Sequence, residues 1–124
     1  MVKVLSLKQP WAHLLATGKK TIELRTWHTK YRGEFYIHAS KNINLEECRK
    51  LNLNPKELIT GAIIGKCTIT GIRKYNTEKE MKHDYNKHLA SSYKIPCYGF
   101  IIENAETITP IKAKGKLNFF EYNL

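Results

Sequence analysis

The chain has 124 residues, enough for one hydrophobic core and too few for two, so we expect a single domain over residues 1–124. Its 21 lysines and arginines outnumber 11 acids, and the net charge of +10 favours a polyanionic partner such as nucleic acid, with general basicity as the alternative. No apolar run approaches the ~20 residues of a membrane helix and no signal-peptide pattern opens the chain, so we predict a soluble, cytoplasmic protein.

The first half of the sequence predicts short strands separated by short helices. Val2–Leu7 alternates like a strand, and Pro10 then suits the first turn of a helix. Gly18 follows the apolar positions of that helix and is typical of the residue just beyond a helix end. Further elements are predicted as a strand at Thr21–Arg25, a strand at Glu34–Ala39 and a helix from Asn44 to about Leu51.

The second half is dominated by one long strand pattern, Gly61–Tyr75, which contains two glycines that suggest bends. Thr77 and Glu80 form a capping-box pattern, which predicts a helix with Met81, Tyr85 and Leu89 facing inward. Two more strands are predicted at Cys97–Glu103 and Thr107–Lys112, and Pro110 places the latter at a sheet edge. The order of elements is not an alternation of strands and helices, so we predict an α+β, mainly β fold, a mixed sheet curling into a barrel decorated by short helices.

The segment Gly18–Trp27 carries the most informative polar pattern. Because side chains alternate along a strand, Glu23 and Arg25 share one face, and Lys20 stands at the entrance to that strand. We expect the three side chains to converge, with Ser6 or the Lys8–Trp11 block as the opposite wall. The alternative is an exposed strand face that carries a weak surface ion pair.

The pattern Gly18-x-Lys20-x-x-Glu23-x-Arg25 resembles the signature of the ASCH domain, a branch of the PUA-like superfamily. The block Leu5–Ala12 before it, Thr26-Trp27, and Gly33 followed by Ile37–Ser40 resemble the same family, in the same order. The resemblance is close over the first forty residues and rests on length and strand pattern beyond them. It implies a PUA-like β-barrel decorated by short helices.

The resemblance also implies a function, because most of this family is thought to bind RNA or single-stranded nucleic acid. We therefore predict binding of RNA, single-stranded nucleic acid or a modified nucleotide in a polar cleft built on Lys20, Glu23 and Arg25. Trp27 adds a stacking face, although packing into the core is an equal alternative for it. The predicted binding residues are Lys8, Gln9, Trp11, Lys20, Glu23, Arg25 and Trp27.

A small hydrolase is the alternative function. One ASCH group resembles an amidohydrolase that removes the acyl group from N4-acetylcytidine with the motif lysine, a threonine at the position of Glu23, and a glutamate from a later helix. This sequence departs from that pattern at Glu23, and Glu80 or Asp84 are the candidates for the later acid. Another group is linked to ribonuclease activity. If the protein is an enzyme, we expect Lys20 and Glu23 to be catalytic.

Metal and cofactor sites have no support in the sequence. Cys48, Cys67 and Cys97 are far apart and odd in number, and no histidine or cysteine pair has metal-ligand spacing, so we expect free, partly buried thiols and no metal. No P-loop or dinucleotide-binding motif is present, and we expect no cofactor.

Overall fold

In a computed structural model that describes residues 1–124, all six strands belong to one mixed sheet. The strands are β1 (Val2–Gln9), β2 (Ile22–Arg25), β3 (Gly33–Ile43), β4 (Ala62–Tyr75), β5 (Cys97–Lys112) and β6 (Phe119–Tyr122). They lie in the order β2-β5-β4-β3-β1-β6. The β1–β3 pair is parallel and every other pair is antiparallel.

Four short helices decorate this sheet: α1 (Trp11–Ala16), α2 (Leu45–Lys50), α3 (Glu78–His83) and α4 (Tyr85–His88). A single 3-10 turn, Pro55–Glu57, precedes β4. The prediction of a mainly β fold with a few short helices is therefore confirmed. None of the helices has the length and apolar character that crossing a membrane requires.

The predicted closure of the sheet into a barrel is not confirmed, because the edge strands β2 and β6 do not pair with each other. The sheet nevertheless curls strongly. In a flat sheet β2 and β1 would be four strand spacings apart, about 19 Å. Instead Arg25 Nη2 on β2 donates to the carbonyl of Ser6 on β1 at 2.9 Å. Trp27 also packs edge-on against Phe119, with ring centroids 6.0 Å apart, so side chains rather than backbone hydrogen bonds fill the gap between the edges.

The curl is built into the long strand β4. Its pairing with β5 shifts register between Ile63 and Gly65, between Lys66 and Thr68, and between Ile69 and Gly71. Such irregularities bend a strand and increase its twist. Gly65 also allows α1 to pack closely on β4, because a Cβ at that position would lie 2.8 Å from the Cβ of Ala16. The main core cluster lies under this helix and includes Leu5, Leu15, Phe35, Ile69 and Phe100.

The last two predicted strands differ from the structure. The strands predicted at Cys97–Glu103 and Thr107–Lys112 are one strand, β5, with Asn104 in the left-handed region at φ 56° near the junction. Pro110 lies where β5 pairs only with β4, since β2 covers Tyr98–Ile101 alone, so that half of β5 is a sheet edge as predicted.

The inward face predicted for the helix after Thr77 is correct at Met81 and wrong at Tyr85. The full capping box between Thr77 and Glu80 is present and starts α3, but the helix breaks at Asp84 and restarts as α4. Met81 is buried as predicted, but Asp84 and His88 are buried with it, and Tyr85 is 44 % exposed. Asp84 can face inward because Tyr75 Oη donates to its Oδ2 at 2.5 Å and Arg73 Nη1 lies 2.8 Å from the same oxygen.

Candidate functional site

The site begins where α1 ends. Gly18 has φ +80°, a left-handed conformation that glycine adopts without strain, and it turns the chain away from the helix. Two backbone hydrogen bonds then fix the next residues: Lys20 N donates to the Leu14 carbonyl at 3.0 Å, and Thr21 N donates to the Lys87 carbonyl at 2.8 Å. The chain therefore enters β2 with Lys20 held between α1 and α4.

The structure brings Lys20, Glu23 and Arg25 together around the Glu23 carboxylate. Lys20 Nζ lies 3.7 Å from Oε1, and Arg25 Nε lies 3.0 Å from Oε2. The side chains are 2 %, 7 % and 20 % exposed for lysine, glutamate and arginine respectively, so this is not a solvated surface pair. This contact is possible because Glu23 and Arg25 lie on the same face of β2, as the alternation of side chains along a strand predicted.

Both cations have further partners that define their positions. Lys20 Nζ donates to the His88 carbonyl at 2.6 Å and lies 4.8 Å from the centroid of the Trp11 ring. Arg25 uses Nε for Glu23 and Nη2 for the Ser6 carbonyl, which occupies two of the five N–H donors of a guanidinium. The remaining donors are available to a ligand, since Arg25 lines a cavity.

This cavity, the tryptophan cavity, has a volume of about 350 Å³, near the lower end of small-molecule sites. Its walls combine aromatic rings, cations and the single carboxylate of Glu23. They are formed by Lys8, Trp11, Lys20, Glu23, Leu24, Arg25, Thr26, Trp27, Ala90, Ser92, Tyr93, Lys94 and Cys97. Flat apolar faces therefore stand beside hydrogen-bonding groups and positive charge.

Burial changes the protonation of Lys20. Desolvation lowers its pKa to about 8, and the nearby charge of Arg25 acts in the same direction, whereas Glu23 opposes the shift. Burial dominates because the ammonium has lost its water while its contact with the Glu23 carboxylate is as long as 3.7 Å. Near neutral pH Lys20 is mostly charged, and a neutral amine becomes available only slightly above it.

This lowered pKa predicts a pH dependence of folding stability. From about pH 8 to about pH 10 the unfolded chain still holds a proton that folded Lys20 has released, so stability rises with pH across this window. We expect the free energy of unfolding of the unchanged protein to rise by about 2 kcal/mol more than that of a Lys20→Met variant. Urea unfolding of both proteins at the two pH values measures the difference. Parallel pH profiles would contradict the lowered pKa.

Of the remaining predicted site residues, Lys8, Trp11 and Trp27 line the cavity and Gln9 does not. Gln9 is fully buried, its Oε1 accepts from the His13 N–H at 2.9 Å, and its Nε2 donates to the Ile59 carbonyl at 2.7 Å. Its amide therefore fixes the start of α1 and the chain before β4.

Neither candidate for the later acid reaches the tryptophan cavity. Glu80 is used in the capping box, where its carboxylate accepts from the Asn76 and Thr77 N–H groups at 3.0 Å. Asp84 is held by Tyr75 and Arg73. Glu23 is the one carboxylate in the cavity lining.

The wall that sequence reasoning missed is the segment between α4 and β5, with Ala90, Ser92, Tyr93 and Lys94. No periodicity or motif marks it. Glu47 at the base of α2 holds this segment, since its Oε1 accepts from the Ser91 hydroxyl at 2.5 Å and the Ser91 N–H at 3.2 Å. This partner lies 44 residues away in sequence, which is why no local signal predicts it.

The cysteines are free, as predicted, and all three are buried rather than partly buried. Burial raises the pKa of the Cys97 thiol, which lines the cavity, so a reactive thiolate is disfavoured there. No group of three or more His, Cys, Asp or Glu side chains is placed to hold a metal ion.

The mixed sheet of six strands with a few short helices is the β-rich fold of the PUA-like class. The chain belongs to the ASCH domain family, whose family model matches residues 5–112. It is 27% identical over 128 aligned residues to Activating signal cointegrator 1 of Mus musculus and, equally, to that of Homo sapiens. These alignments cover 91% of this chain but only 21% of the relatives, so the chain spans about a fifth of their length.

Solved structures show the same fold. The crystal structure of ASCH from Zymomonas mobilis matches with a TM-score of 0.65 and 18% sequence identity, covering 89% of this chain and 72% of that one. A mutant of the same protein matches with a TM-score of 0.66 at the same identity and coverage. At this identity the likeness shows the fold alone.

Proposed function

We propose that this domain binds single-stranded RNA, or another single-stranded nucleic acid or a modified nucleotide, in the tryptophan cavity. The observation that carries the proposal is the buried Lys20–Glu23–Arg25 cluster between Trp11 and Trp27. ASCH domains are generally linked to RNA binding, and the family membership supports the same partner.

Each part of the cavity matches one part of a nucleotide. The faces of Trp11, Trp27 and Tyr93 offer stacking surfaces, and base stacking on an aromatic ring contributes about 1–3 kcal/mol. The Glu23 carboxylate accepts from an exocyclic amino group such as that of cytosine, while Arg25 donates to a base edge or a phosphate. Lys8 and Lys94 stand at the same cavity and add phosphate contacts.

Fluorescence anisotropy with labelled single-stranded RNA across a salt series tests this proposal. We expect RNA binding that weakens with salt. A plot of the logarithm of the binding constant against the logarithm of the salt concentration should have a slope of about −0.7 for each phosphate neutralised. Mononucleotides should compete for the cavity. RNA binding that mononucleotides and a Trp11→Ala substitution both leave unchanged would overturn the placement of the ligand in the tryptophan cavity.

The lowered pKa of Lys20 favours a second candidate function, a small hydrolase acting on N4-acetylcytidine or RNA in the same cavity. Lys20 and Glu23 would be its catalytic residues. The amidohydrolase chemistry needs a nucleophilic hydroxyl where this chain has Glu23, and a carboxylate offers only a base or a hydrogen-bond acceptor there.

We expect no turnover of N4-acetylcytidine by the unchanged protein, and at most a trace with Glu23→Thr, which restores the hydroxyl. Chromatography of reaction mixtures for cytidine and acetate measures this, and labelled RNA in parallel reports ribonuclease activity. Turnover near 1 s⁻¹ or faster, an ordinary enzymatic rate, would make the hydrolase the correct function. Glu23 would then be reassigned as the base that activates water.

A further inference from the structure

A second cavity, larger than the tryptophan cavity, also borders strand β1. It has a volume of about 710 Å³ and is formed by the ends of β3 and β5, the turn before β4 and the segment after β5. Ser6 of β1 lines the second cavity, where its hydroxyl lies 2.8 Å from His38 Nδ1, and its carbonyl accepts at 2.9 Å from Arg25, which lines the first. Ser6 therefore connects the two cavities.

Four lysines line this second cavity, and we call it the lysine cavity: Lys41, Lys112, Lys114 and Lys116. No aspartate or glutamate is among its lining residues, and none of the ion pairs in the structure includes any of the four. By contrast Lys66, on the neighbouring strand, has carboxylates of Glu34 and Glu106 within 3.7 Å and 3.3 Å. The lysine cavity therefore gathers four positive charges of which none is held in an ion pair.

The segment that carries two of these lysines is fixed to the floor of the cavity. His38 is 2 % exposed, and its Nε2 lies 2.7 Å from the Ala113 carbonyl, which can only accept. In the neutral ring Nδ1 therefore accepts from the Ser6 hydroxyl, a tautomer assigned from these partners. Gly115 allows the close approach, since a Cβ there would lie 2.7 Å from Ser6 Oγ and 2.9 Å from His38 Cε1. Lys114 and Lys116 are thereby held on either side of this anchor.

We propose that the lysine cavity binds the phosphates of the same polynucleotide strand whose base occupies the tryptophan cavity. This inference rests on the proposed function and extends it from one nucleotide to a path along a strand. Ser6 connects the two ends of this path, because its carbonyl accepts from Arg25 of the tryptophan cavity and its side chain lines the lysine cavity. A concave site with several cations and no carboxylate fits a narrow polyanion, and the aromatic rings in the adjoining cavity select a polyanion that carries bases.

The test combines Lys41→Gln, Lys114→Gln and Lys116→Gln in one variant. Its matched control combines Lys56→Gln, Lys79→Gln and Lys82→Gln, three exposed lysines that line neither cavity, so both proteins carry the same net charge. Anisotropy with a labelled single-stranded RNA of about ten nucleotides measures affinity at several salt concentrations. A nucleoside monophosphate measures the tryptophan cavity alone.

We expect the lysine-cavity variant to lose about a hundredfold in RNA affinity at about 0.1 M salt and to lower its salt slope by about 2, the effect of three lost phosphate contacts. Its affinity for the monophosphate should stay unchanged, and the control variant should keep most of its RNA affinity. Equal losses in the two variants would overturn the inference in favour of general basicity, while leaving the proposed function intact.

Two further outcomes separate the inference from the proposed function. RNA binding that Glu23→Ala abolishes and the lysine-cavity variant retains would overturn the inference alone. Absence of RNA binding by the unchanged protein would overturn both. Heparin, an acidic polysaccharide without bases, serves as the competing polyanion, and binding of heparin but not RNA through these lysines would show that the partner class is wrong.

Discussion

Replacing Glu23 by alanine is expected to weaken specific ligand binding by about 2–5 kcal/mol, which is about 30-fold or more in affinity. The carboxylate is the shared partner of two cations, with Lys20 Nζ at 3.7 Å and Arg25 Nε at 3.0 Å. Its removal leaves Lys20, which is 2 % exposed, without its contacting carboxylate and removes the one carboxylate acceptor in the cavity. Isothermal titration with the RNA or nucleotide that binds most tightly measures the loss.

The matched control for this variant is Glu34→Ala. That carboxylate is 55% exposed and pairs with Lys66 at 3.7 Å, away from the tryptophan cavity, so its loss should change ligand affinity little. Glu23→Gln keeps the shape and one acceptor and should fall between the unchanged protein and Glu23→Ala. Thermal unfolding of each variant identifies any loss that arises from misfolding. A folded Glu23→Ala protein with full affinity would remove Glu23 from the site.

Replacing Asp84 by alanine is expected to lower the free energy of unfolding by about 3 kcal/mol at neutral pH. The carboxylate is 1% exposed and accepts from the buried Tyr75 hydroxyl at 2.5 Å, with Arg73 at 2.8 Å. Truncation leaves the phenol hydroxyl without a partner inside the protein. Urea unfolding at neutral pH measures this loss. The control is Glu103→Ala, which removes an exposed carboxylate and should change the free energy of unfolding by no more than about 0.5 kcal/mol.

The loss of stability in Asp84→Ala is also expected to depend on pH. Burial opposes ionisation of Asp84, but hydrogen bonds from Tyr75 and His83 and the charges of Arg73 and Lys87 together lower its pKa below the usual value. A lowered carboxyl pKa stabilises the fold above the unfolded pKa and loses that contribution as pH falls through the folded pKa. The stability gap between the unchanged protein and Asp84→Ala should therefore narrow below about pH 4. A gap that is constant with pH would mean that charge plays no part.

Asp84 is also connected to the tryptophan cavity through α4. It lies at the junction of α3 and α4, and α4 carries the His88 carbonyl that accepts from Lys20 at 2.6 Å. We therefore expect Asp84→Ala, where it remains folded, to weaken ligand binding less than Glu23→Ala does. The side chain itself lines neither cavity.

Local rules account for the parts of this protein that were predictable. Alternation along a strand put Glu23 and Arg25 on one face, and a left-handed glycine ended α1 at Gly18. The capping box of Thr77 and Glu80 formed in full because all of its partners lie within four residues. Each of these features depends on backbone geometry over a few positions, which the sequence specifies directly.

Features that depend on partners far along the chain were predicted wrongly or missed. The apolar period after Thr77 assigned Tyr85 and Leu89 to the core, but Asp84 is buried there instead, because Arg73 and Tyr75 of β4 are its partners. The cavity wall formed by Ala90, Ser92, Tyr93 and Lys94 was missed, because it is held through hydrogen bonds from Ser91 to the distant Glu47. A buried polar group is tolerated only with its hydrogen-bond partners present, and local periodicity does not reveal those partners.

The sequence by itself determined the family, the mainly β class and the polar face of β2, since these follow from residue spacing within short segments. Only the tertiary structure decided which groups that face meets. Sheet curl brought Ser6 to Arg25, chain packing placed the His88 carbonyl on Lys20, and the ends of β3 and β5 gathered four lysines around one cavity. Each of these contacts joins segments that are distant in sequence, and their meeting depends on the register and curvature of the whole sheet.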